Sequence, residues 1–317
     1  MTVPHPMIAL VTRQAEAEEQ HWLETLRQAM PDETIVPVAA MSAEARAGAD
    51  IAIVANPDPA DLRLLPNLQW MHSLWAGVER LVLELADLQP KIVRLVDPRL
   101  GEAMAEAVLA WSLYLSRDMP AYAAQQRQGL WQPLPYRAAR DTRVGILGMG
   151  ALGMAAAGLL RKAGFQVNGW SRRPKDVDGI TAFSGRDGLK QMLGQTDILV
   201  CLLPLTTETD GLVDQALLSM LPRGAGLINF ARGRIVVTGD LVEALDAGQI
   251  GHAVLDVFET EPLAPESPLW SHQKITILPH ISGPTNPETA AAIVAANIAA
   301  YRCSGTLPDL VDFARGY

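Results

Sequence analysis

The sequence predicts an α/β protein with two doubly wound, parallel-sheet domains and a cleft between them. A chain of 317 residues is long enough for two compact domains, each with its own core. Short apolar runs alternate with helical stretches along the chain, which is the pattern of parallel sheets covered on both faces. In the second half, a glycine-rich turn follows one apolar run and opens a helix, an arrangement typical of doubly wound sheets.

Composition and charge exclude several classes of protein. Hydrophobic residues make up 49% of the chain and charged residues 19%, which indicates a soluble globular protein rather than a disordered one. The formal net charge of −9 argues against nucleic acid or an anionic membrane surface as a partner. The first residues carry no basic segment followed by an apolar core, and no run reaches membrane-spanning length. We therefore expect a cytoplasmic protein.

The cysteines and most tryptophans are predicted to serve packing rather than chemistry. Cys201 and Cys303 are far apart and belong to no metal-binding spacing, so we expect no metal site. Cys201 lies in an apolar run and is predicted to be buried. Aromatic side chains dominate core packing. This predicts a packing role for Trp22, Trp70, Trp75, Trp111 and Trp270.

The first domain is predicted to hold five strands and no glycine-rich turn after the first of them. The apolar runs at 7–12, 34–38, 49–54, 69–73 and 92–95 have the length and flanks of buried strands. Residues 15–30 have the amphipathic pattern of a helix between the first two strands. We expect this domain to comprise residues 1–100 together with 286–317, which include an Ala-rich helix at 287–302.

The second domain is predicted at residues 101–285 and begins with a long helix at 101–117. Prolines in the connector 129–135 argue against regular helix there. Six strands follow, with helices between them, which describes a doubly wound sheet. Their predicted bounds are 143–147, 165–170, 197–203, 226–230, 253–258 and 274–278.

The glycine-rich turn has the spacing G-x-G-x-x-G directly after the first strand of this second series. Gly148 permits a tight turn, Gly150 lets the backbone approach a pyrophosphate, and Gly153 allows close packing of helix on strand. Free N–H groups at the helix start face the anion. This predicts a dinucleotide site; the alternative is a glycine-rich turn with no ligand. The residues of the turn are Gly148, Met149, Gly150, Ala151, Leu152 and Gly153.

The next strand ends without the acidic residue that binds the ribose 2′-hydroxyl of NAD. In its place stand Ser171, Arg172 and Arg173. The serine can donate a hydrogen bond to a 2′-phosphate, and the arginines can supply charge-assisted contacts. The sequence therefore favours NADP(H) as cofactor, and the alternative is a solvated basic turn.

Three separate segments each place a polar group at a strand end in the second half, namely Arg232, Glu261 and His280. Carboxyl ends of parallel strands meet at one edge, so these groups can converge on the cofactor. Reducing a 2-oxo acid needs a cation for the carboxylate and carbonyl oxygen, a proton donor and a hydride. Arg232 and His280 can supply the first two. Glu261 can orient the imidazole and raise its pKa.

These motifs resemble the D-2-hydroxyacid dehydrogenase family, and most closely its glyoxylate/hydroxypyruvate reductase A group. The resemblance covers nearly the whole chain. Family motifs match in order and spacing at 101–106, 148–153, 229–233, 256–262 and 279–283. Segments typical of the reductase group are 131–135, 170–173, 266–270 and 311–317. Two departures are Glu79, where many relatives have Asp, and Phe230, where Leu or Thr is more usual.

The resemblance implies roles for residues that the spacing alone leaves unassigned. It implies that Arg232, Glu261 and His280 are catalytic, with His280 as acid and base. In the first, substrate-binding domain, Trp75, Ala76 and Gly77 would contact the substrate, with the N–H groups of Ala76 and Gly77 on its carboxylate. The second domain would be an NADP-binding Rossmann domain. Its implied further cofactor contacts are Leu203 and Pro204 near the adenosine, Phe230, Asp256, Ser282 and Gly283 near the nicotinamide, and also Met104 and Ala231.

The function expected from residues and resemblance together is NADPH-dependent reduction of glyoxylate or hydroxypyruvate to glycolate or D-glycerate. Two alternatives remain open: a D-2-hydroxyacid dehydrogenase for larger 2-oxo acids, and a non-catalytic regulator that senses NADP(H). The resemblance also implies a homodimer in which Trp131, on the connector, reaches toward the neighbouring active site.

Overall fold

A computed structural model of the chain describes residues 6–316, which form two compact units. The first unit contains the residues up to Arg99 together with those from Thr285 onward, and the second is Leu100–Pro284. These bounds differ by one residue from the domain bounds predicted from the sequence. The substrate-binding and cofactor-binding roles of the two domains stay predictions.

Strands and helices alternate through both units. The strands are β1 Ile8–Thr12, β2 Ile35–Pro37, β3 Ile51–Ala55, β4 Trp70–Ser73, β5 Ile92–Val93, β6 Arg143–Leu147, β7 Gln166–Ser171, β8 Thr181–Ser184, β9 Ile198–Cys201, β10 Ala225–Asn229, β11 Ile250–Leu255 and β12 Ile275–Ile277. The α-helices are α1 Glu16–Ala29, α2 Ala43–Gly48, α3 Pro59–Leu62, α4 Glu79–Glu84, α5 Pro98–Ser116, α6 Met119–Arg127, α7 Ala151–Lys162, α8 Gly185–Leu193, α9 Gln215–Leu218, α10 Thr238–Asp246 and α11 Pro287–Ser304. This alternation confirms the predicted α/β class.

The first unit is built on a parallel sheet with strand order β2-β1-β3-β4-β5. Successive side chains of a strand point to opposite faces. Ile8 and Leu10 accordingly pack against α1 and α11, whereas Ala9 and Val11 pack on the other face with side chains from α3 and α4. Both faces are buried, as the continuous apolar runs predicted, and all five predicted strands are present.

The C-terminal helix α11 belongs to the first unit because it packs against α1 and is held by ion pairs. Arg302 Nη1 lies 2.6 Å from Asp50 Oδ2, and its Nε lies 3.2 Å from Glu33 Oε1. Burial opposes the charge of Arg302, but these hydrogen bonds and carboxylates outweigh it and raise its pKa. Helix α11 thereby ties the end of the chain to the first sheet.

His72 on β4 is fully buried, and its neutral form makes two hydrogen bonds. Its Nδ1 lies 2.8 Å from the Ser73 carbonyl oxygen, which can only accept, so Nδ1 carries the proton. Its Nε2 lies 2.9 Å from Asn297 Nδ2 on α11 and accepts from it. Burial lowers the pKa of His72 to about 4, from 6.5. The imidazole therefore contributes to stability only while it stays uncharged.

We expect His72 to make the protein acid-labile. Its pKa is lower in the folded chain, so its contribution is complete above pH 6.5 and is lost as pH falls from 6.5 toward 4. The loss between pH 7 and pH 5 should be about 2 kcal/mol. Urea unfolding of the wild type and of His72→Gln at both pH values measures it. The wild type should lose more stability than the variant, and equal losses would refute this role for His72.

The second unit is built on a seven-stranded parallel sheet with order β12-β11-β10-β9-β6-β7-β8. Counted from β6, the order runs 3-2-1-4-5-6 with one further strand, which is the Rossmann arrangement. One face packs against α8, α9 and α10, and the other against α5 and α7. The predicted doubly wound architecture is confirmed in both units.

Two details of the second sheet differ from the sequence prediction. Strand β8 was not predicted, because Thr181–Ser184 is a short edge strand whose residues are exposed or half-buried and lack an apolar run. Strand β11 begins at Ile250 rather than at 253. His252, a polar residue near the start of β11, is buried. Gly251 packs on the Gly224 backbone, and a Cβ at Gly251 would lie 2.6 Å from the Gly224 carbonyl oxygen.

Cys201, Trp270 and Trp131 differ widely in their exposure to solvent. Cys201 is fully buried, as predicted, and burial raises its pKa to about 12, so its thiol stays protonated at neutral pH. Trp270 was predicted to pack but is 54% exposed, and its Nε1 donates to the Ala264 carbonyl at 2.9 Å. Trp131 is 99% exposed. Within residues 6–316, no helix is long and apolar enough to cross a membrane, and no cluster of metal-ligating side chains occurs.

Candidate active site

The glycine turn between β6 and α7 has the shape that a pyrophosphate requires. Gly148 has φ +105°, and a Cβ there would lie 2.6 Å from the Leu202 carbonyl oxygen. A Cβ at Gly153 would lie 1.9 Å from the Gly148 oxygen, so helix and turn pack directly on each other. At Gly150, which caps α7 without a side-chain hydrogen bond, a Cβ would meet nothing within 4 Å. The turn thus leaves open space in front of the helix N-terminus, where an anion fits.

A basic loop follows β7 beside this turn. Ser171 Oγ donates to the Arg173 carbonyl at 2.7 Å, and Arg172 Nη1 lies 2.9 Å from Glu208 Oε2. Lys175 Nζ donates to the Met149 carbonyl at 2.5 Å and so anchors the loop to the glycine turn. Sequence reasoning missed Lys175, although it belongs to the same basic run. The loop places cations beside the turn, as a phosphorylated ribose would require.

The residues predicted to contact the adenosine and the pyrophosphate lie in the glycine turn and in the loop after β9. Met149 is buried and packs under β7, where a Cβ at Gly169 would lie 2.5 Å from its sulfur. Ala151 and Leu152 form the first turn of α7, and Leu203 and Pro204 follow β9. In the sheet, β7 and β9 lie on either side of β6, so the loops after them flank the glycine turn.

Arg232 is positioned by a tight loop after β10. Asn229 accepts from the Ala231 N–H at 3.2 Å and donates to the Arg232 carbonyl at 3.1 Å. Gly233 lies against the Phe258–Glu259 backbone, where a Cβ would be 1.9 Å from the Phe258 carbonyl carbon. This contact requires glycine and brings Arg232 toward the loop after β11. The close-packing role of Gly233 was not anticipated from the sequence.

His280 and Glu261 form a hydrogen-bonded pair. His280 Nδ1 lies 2.7 Å from Glu261 Oε2, while Glu261 Oε1 accepts from the Phe258 N–H at 2.9 Å. His280 has φ +54°, a left-handed conformation that is rare for a residue with a side chain. Asp256 is buried, and its two oxygens accept from the Ile281 N–H at 2.7 Å and the Ser282 N–H at 2.9 Å. Asp256 therefore fixes the loop that carries His280.

The electrostatics of the pair favour a charged imidazole. The hydrogen bond to Glu261 raises the pKa of His280 above its usual value, although burial and the charge of Arg232 oppose it. Burial raises the pKa of Glu261, but its hydrogen bonds with His280 and Phe258 outweigh burial. The pKa of Glu261 accordingly lies below its usual value, and nearby Arg232 adds to this effect. An imidazolium held by a carboxylate beside an arginine can donate a proton to an anionic substrate.

Buried groups next to this pair fit the predicted nicotinamide contacts. Phe230 and Ala231 are buried at the end of β10. The Ser282 hydroxyl is buried and has no hydrogen-bond partner among the described residues, so it can bond to a polar ligand group. Met104 on α5 packs against Gly283, where a Cβ would lie 2.9 Å from its Cε. These contacts to a cofactor stay predictions, but the residues present fit one.

The predicted carboxylate contacts lie in the first unit, after β4. The Trp75 ring packs edge-on against Trp22, with centroids 5.8 Å apart, and its Nε1 is buried without a partner among residues 6–316. Ala76 and Gly77 are half-buried, and neither N–H donates a hydrogen bond to another described residue. Two unbonded N–H groups in succession can bind a carboxylate.

Comparisons with known proteins identify the family of the chain. Residues 109–282 match the family model described as "D-isomer specific 2-hydroxyacid dehydrogenase, NAD binding domain". A D-isomer specific 2-hydroxyacid dehydrogenase from Xanthobacter autotrophicus, solved with NADPH and MES, has 36% identity and a TM-score of 0.91 over 99% of this chain and 100% of that one.

Two further solved structures are similar over nearly their whole length. An NADPH-dependent glyoxylate/hydroxypyruvate reductase from Sinorhizobium meliloti, with NADP and sulfate, has 33% identity and a TM-score of 0.89 over 98% of this chain and 99% of that one. A probable 2-hydroxyacid dehydrogenase from Rhizobium etli, with NADP, HEPES and tartaric acid, has 33% identity and a TM-score of 0.89 over 99% of this chain and 100% of that one. The chain therefore belongs to the D-isomer specific 2-hydroxyacid dehydrogenase family.

Proposed function

We propose that this protein is an NADPH-dependent reductase of glyoxylate or hydroxypyruvate. The observation that carries the proposal is the 2.7 Å His280–Glu261 pair, with Arg232 close enough to influence both groups. A protein that only senses NADP(H) has no need of a paired proton donor. The similar reductase from Sinorhizobium meliloti supports the choice of small 2-oxo acids.

In the proposed reaction, the chain's own residues bind the substrate and donate one proton to it. Arg232 binds the substrate carboxylate and carbonyl oxygen, and the Ala76 and Gly77 N–H groups bind the carboxylate. NADPH, when bound, supplies the hydride that reduces the carbonyl carbon. His280, held through Nδ1 by Glu261, donates a proton from Nε2 to the carbonyl oxygen as negative charge develops there. The product is the 2-hydroxy acid.

NADP(H) is the proposed cofactor because the end of β7 carries cations and no acid. Arg172 and Arg173 follow Ser171 where a carboxylate would repel a 2′-phosphate, and Lys175 adds a third cation. Two similar proteins were solved with NADP and one with NADPH. The turn itself, with open space at Gly150, would hold the pyrophosphate.

A substrate screen tests the proposed activity. NADPH oxidation is followed spectrophotometrically with glyoxylate, hydroxypyruvate, pyruvate and bulkier 2-oxo acids, and each assay is repeated with NADH. We expect the highest kcat/KM with NADPH and one of the two small acids. A higher value with the bulkier acids would favour a dehydrogenase for larger substrates. Binding of NADPH without oxidation by any acid would favour a non-catalytic sensor.

Arg172→Gln should reduce the preference for NADPH over NADH. Loss of a charge-assisted contact to the 2′-phosphate should lower the ratio of the two kcat/KM values about 10-fold to 150-fold, since such bonds contribute about 1.5–3 kcal/mol. Arg223→Gln is a matched control, because Arg223 precedes β10 and so lies at the amino ends of the parallel strands, whereas the basic loop follows the carboxyl end of β7. An unchanged ratio in Arg172→Gln would show that the basic loop does not select the cofactor.

A further inference from the structure

An ion pair between Arg172 and Glu208 joins the loops on either side of the glycine turn, and the proposed reaction assigns no role to Glu208. Arg172 follows β7 and Glu208 follows β9, with 2.9 Å between Nη1 and Oε2. Because β6 lies between these strands, the pair joins the two loops that flank Gly148. A carboxylate therefore already neutralises the cation that we assign to the 2′-phosphate.

The carboxylate of Glu208 extends from a well-fixed turn. Thr209 Oγ1 donates to the Pro204 carbonyl at 2.7 Å, which closes the turn on one side of Glu208. On the other side, Asp210 forms an ion pair with Arg234. The side chain of Glu208 is 64% exposed, so it meets solvent at the mouth of the predicted adenosine site. The turn thus fixes the backbone on both sides of Glu208, and the exposed Glu208 side chain contacts Arg172.

The balance of charges decides what this carboxylate does to a phosphorylated cofactor. A phosphate monoester carries nearly two negative charges at neutral pH, and a carboxylate within one Debye length repels it. The phosphate must also share or displace the bond that Arg172 makes to Glu208. The 2′-hydroxyl of NAD(H) carries no charge and meets neither effect. Because the pair is exposed on both sides, holding Arg172 in place contributes little in return.

We propose that Glu208 is a specificity-determining residue that competes with the 2′-phosphate of NADP(H) for Arg172. Binding of the phosphorylated cofactor exchanges an internal ion pair for one with the ligand. Glu208 thereby weakens the binding of NADP(H) without weakening that of NAD(H). This inference rests on the proposed NADP(H) site.

Calorimetric titration with two probes tests the competition. Adenosine 2′,5′-bisphosphate carries the 2′-phosphate and ADP does not, and neither requires turnover. Glu208→Gln should bind the bisphosphate more tightly than the wild type by up to about fivefold, the upper end of the range expected from an exposed ion pair. ADP affinity should stay the same. In an Arg172→Gln background, Glu208→Gln should improve bisphosphate binding less than in the wild type, because only the direct repulsion of the phosphate by the carboxylate is then removed.

The titration has one control variant and defined outcomes that would overturn the proposal. Glu243→Gln, at an exposed position on α10, removes the same charge elsewhere in the unit and should leave both affinities unchanged. Weaker bisphosphate binding in Glu208→Gln would mean that Glu208 positions Arg172, which overturns the competition. An equal improvement with and without Arg172 would also overturn it. If the wild type binds ADP but not the bisphosphate, the proposed NADP(H) site fails as well.

Discussion

Replacing His280 with glutamine should lower kcat/KM for glyoxylate about 10²–10⁴-fold while NADPH binding changes little. Glutamine can keep a hydrogen bond to Glu261 but cannot carry the proton that the carbonyl oxygen must receive. The loss should appear in kcat, because the proton is transferred only as negative charge develops on that oxygen. Steady-state kinetics measures the loss, and NADPH fluorescence titration measures the cofactor's Kd.

The matched control for this variant is His272→Gln. His272 precedes β12 and so lies at the amino ends of the strands of the same sheet, whereas His280 follows β12 at their carboxyl ends. His272 Nε2 lies 3.4 Å from Asp246 Oδ1. It should keep wild-type kinetics. Turnover near the wild-type value in His280→Gln, with NADPH binding intact, would exclude His280 as the proton donor.

Replacing Arg232 with alanine should lower kcat/KM about 10²–10³-fold, which is the usual cost of removing one donor that stabilises a developing oxyanion. Arg232→Lys should recover only part of the activity, because an ammonium keeps the charge but loses the planar fork that binds a carboxylate through two bonds. Both KM and kcat should suffer, since Arg232 binds the ground-state carboxylate as well as the carbonyl oxygen.

Melting temperature and NADPH affinity distinguish this effect from a folding defect. The Arg232 guanidinium donates one hydrogen bond within its loop, to the Ala231 carbonyl at 2.6 Å, but the hydrogen bonds of Asn229 and the contact of Gly233 with Phe258 do not need the guanidinium. Both properties should therefore stay close to those of the wild type, as in the control Arg223→Ala. Full recovery of activity by lysine would show that charge alone suffices and that the paired contact is not used.

Much of the fold could be predicted because both sheets are buried on their two faces. Buried parallel strands require continuous apolar runs, so 11 of the 12 strands within residues 6–316 could be predicted from the sequence. Strand β8 did not, because Thr181–Ser184 is an edge strand without such a run. The start of β11 was misplaced because burial of His252 depends on neighbours that the local pattern does not show.

The candidate site was predictable where the chemistry requires particular residue types in sequence. The glycine spacing and the polar groups at strand ends identify the turn and the trio, and the structure brings His280 and Glu261 within 2.7 Å. Contacts between distant loops were not predictable in this way. Glu208 meets Arg172 only because β7 and β9 flank β6, and Asp256 holds the His280 loop through backbone groups 25 and 26 residues away.

The pH dependence of kcat/KM for glyoxylate reduction, in the wild type and in Glu261→Gln, tests the central claim that His280 donates a proton while Glu261 holds it charged. The hydrogen bond to Glu261 raises the pKa of His280, so wild-type kcat/KM should stay level at low pH and fall as pH rises through a midpoint above 6.5. In Glu261→Gln the midpoint should move to lower pH. Glu259→Gln, in the same loop, should keep the wild-type profile. A kcat/KM that does not fall with rising pH, or a midpoint unmoved in Glu261→Gln, would contradict the account.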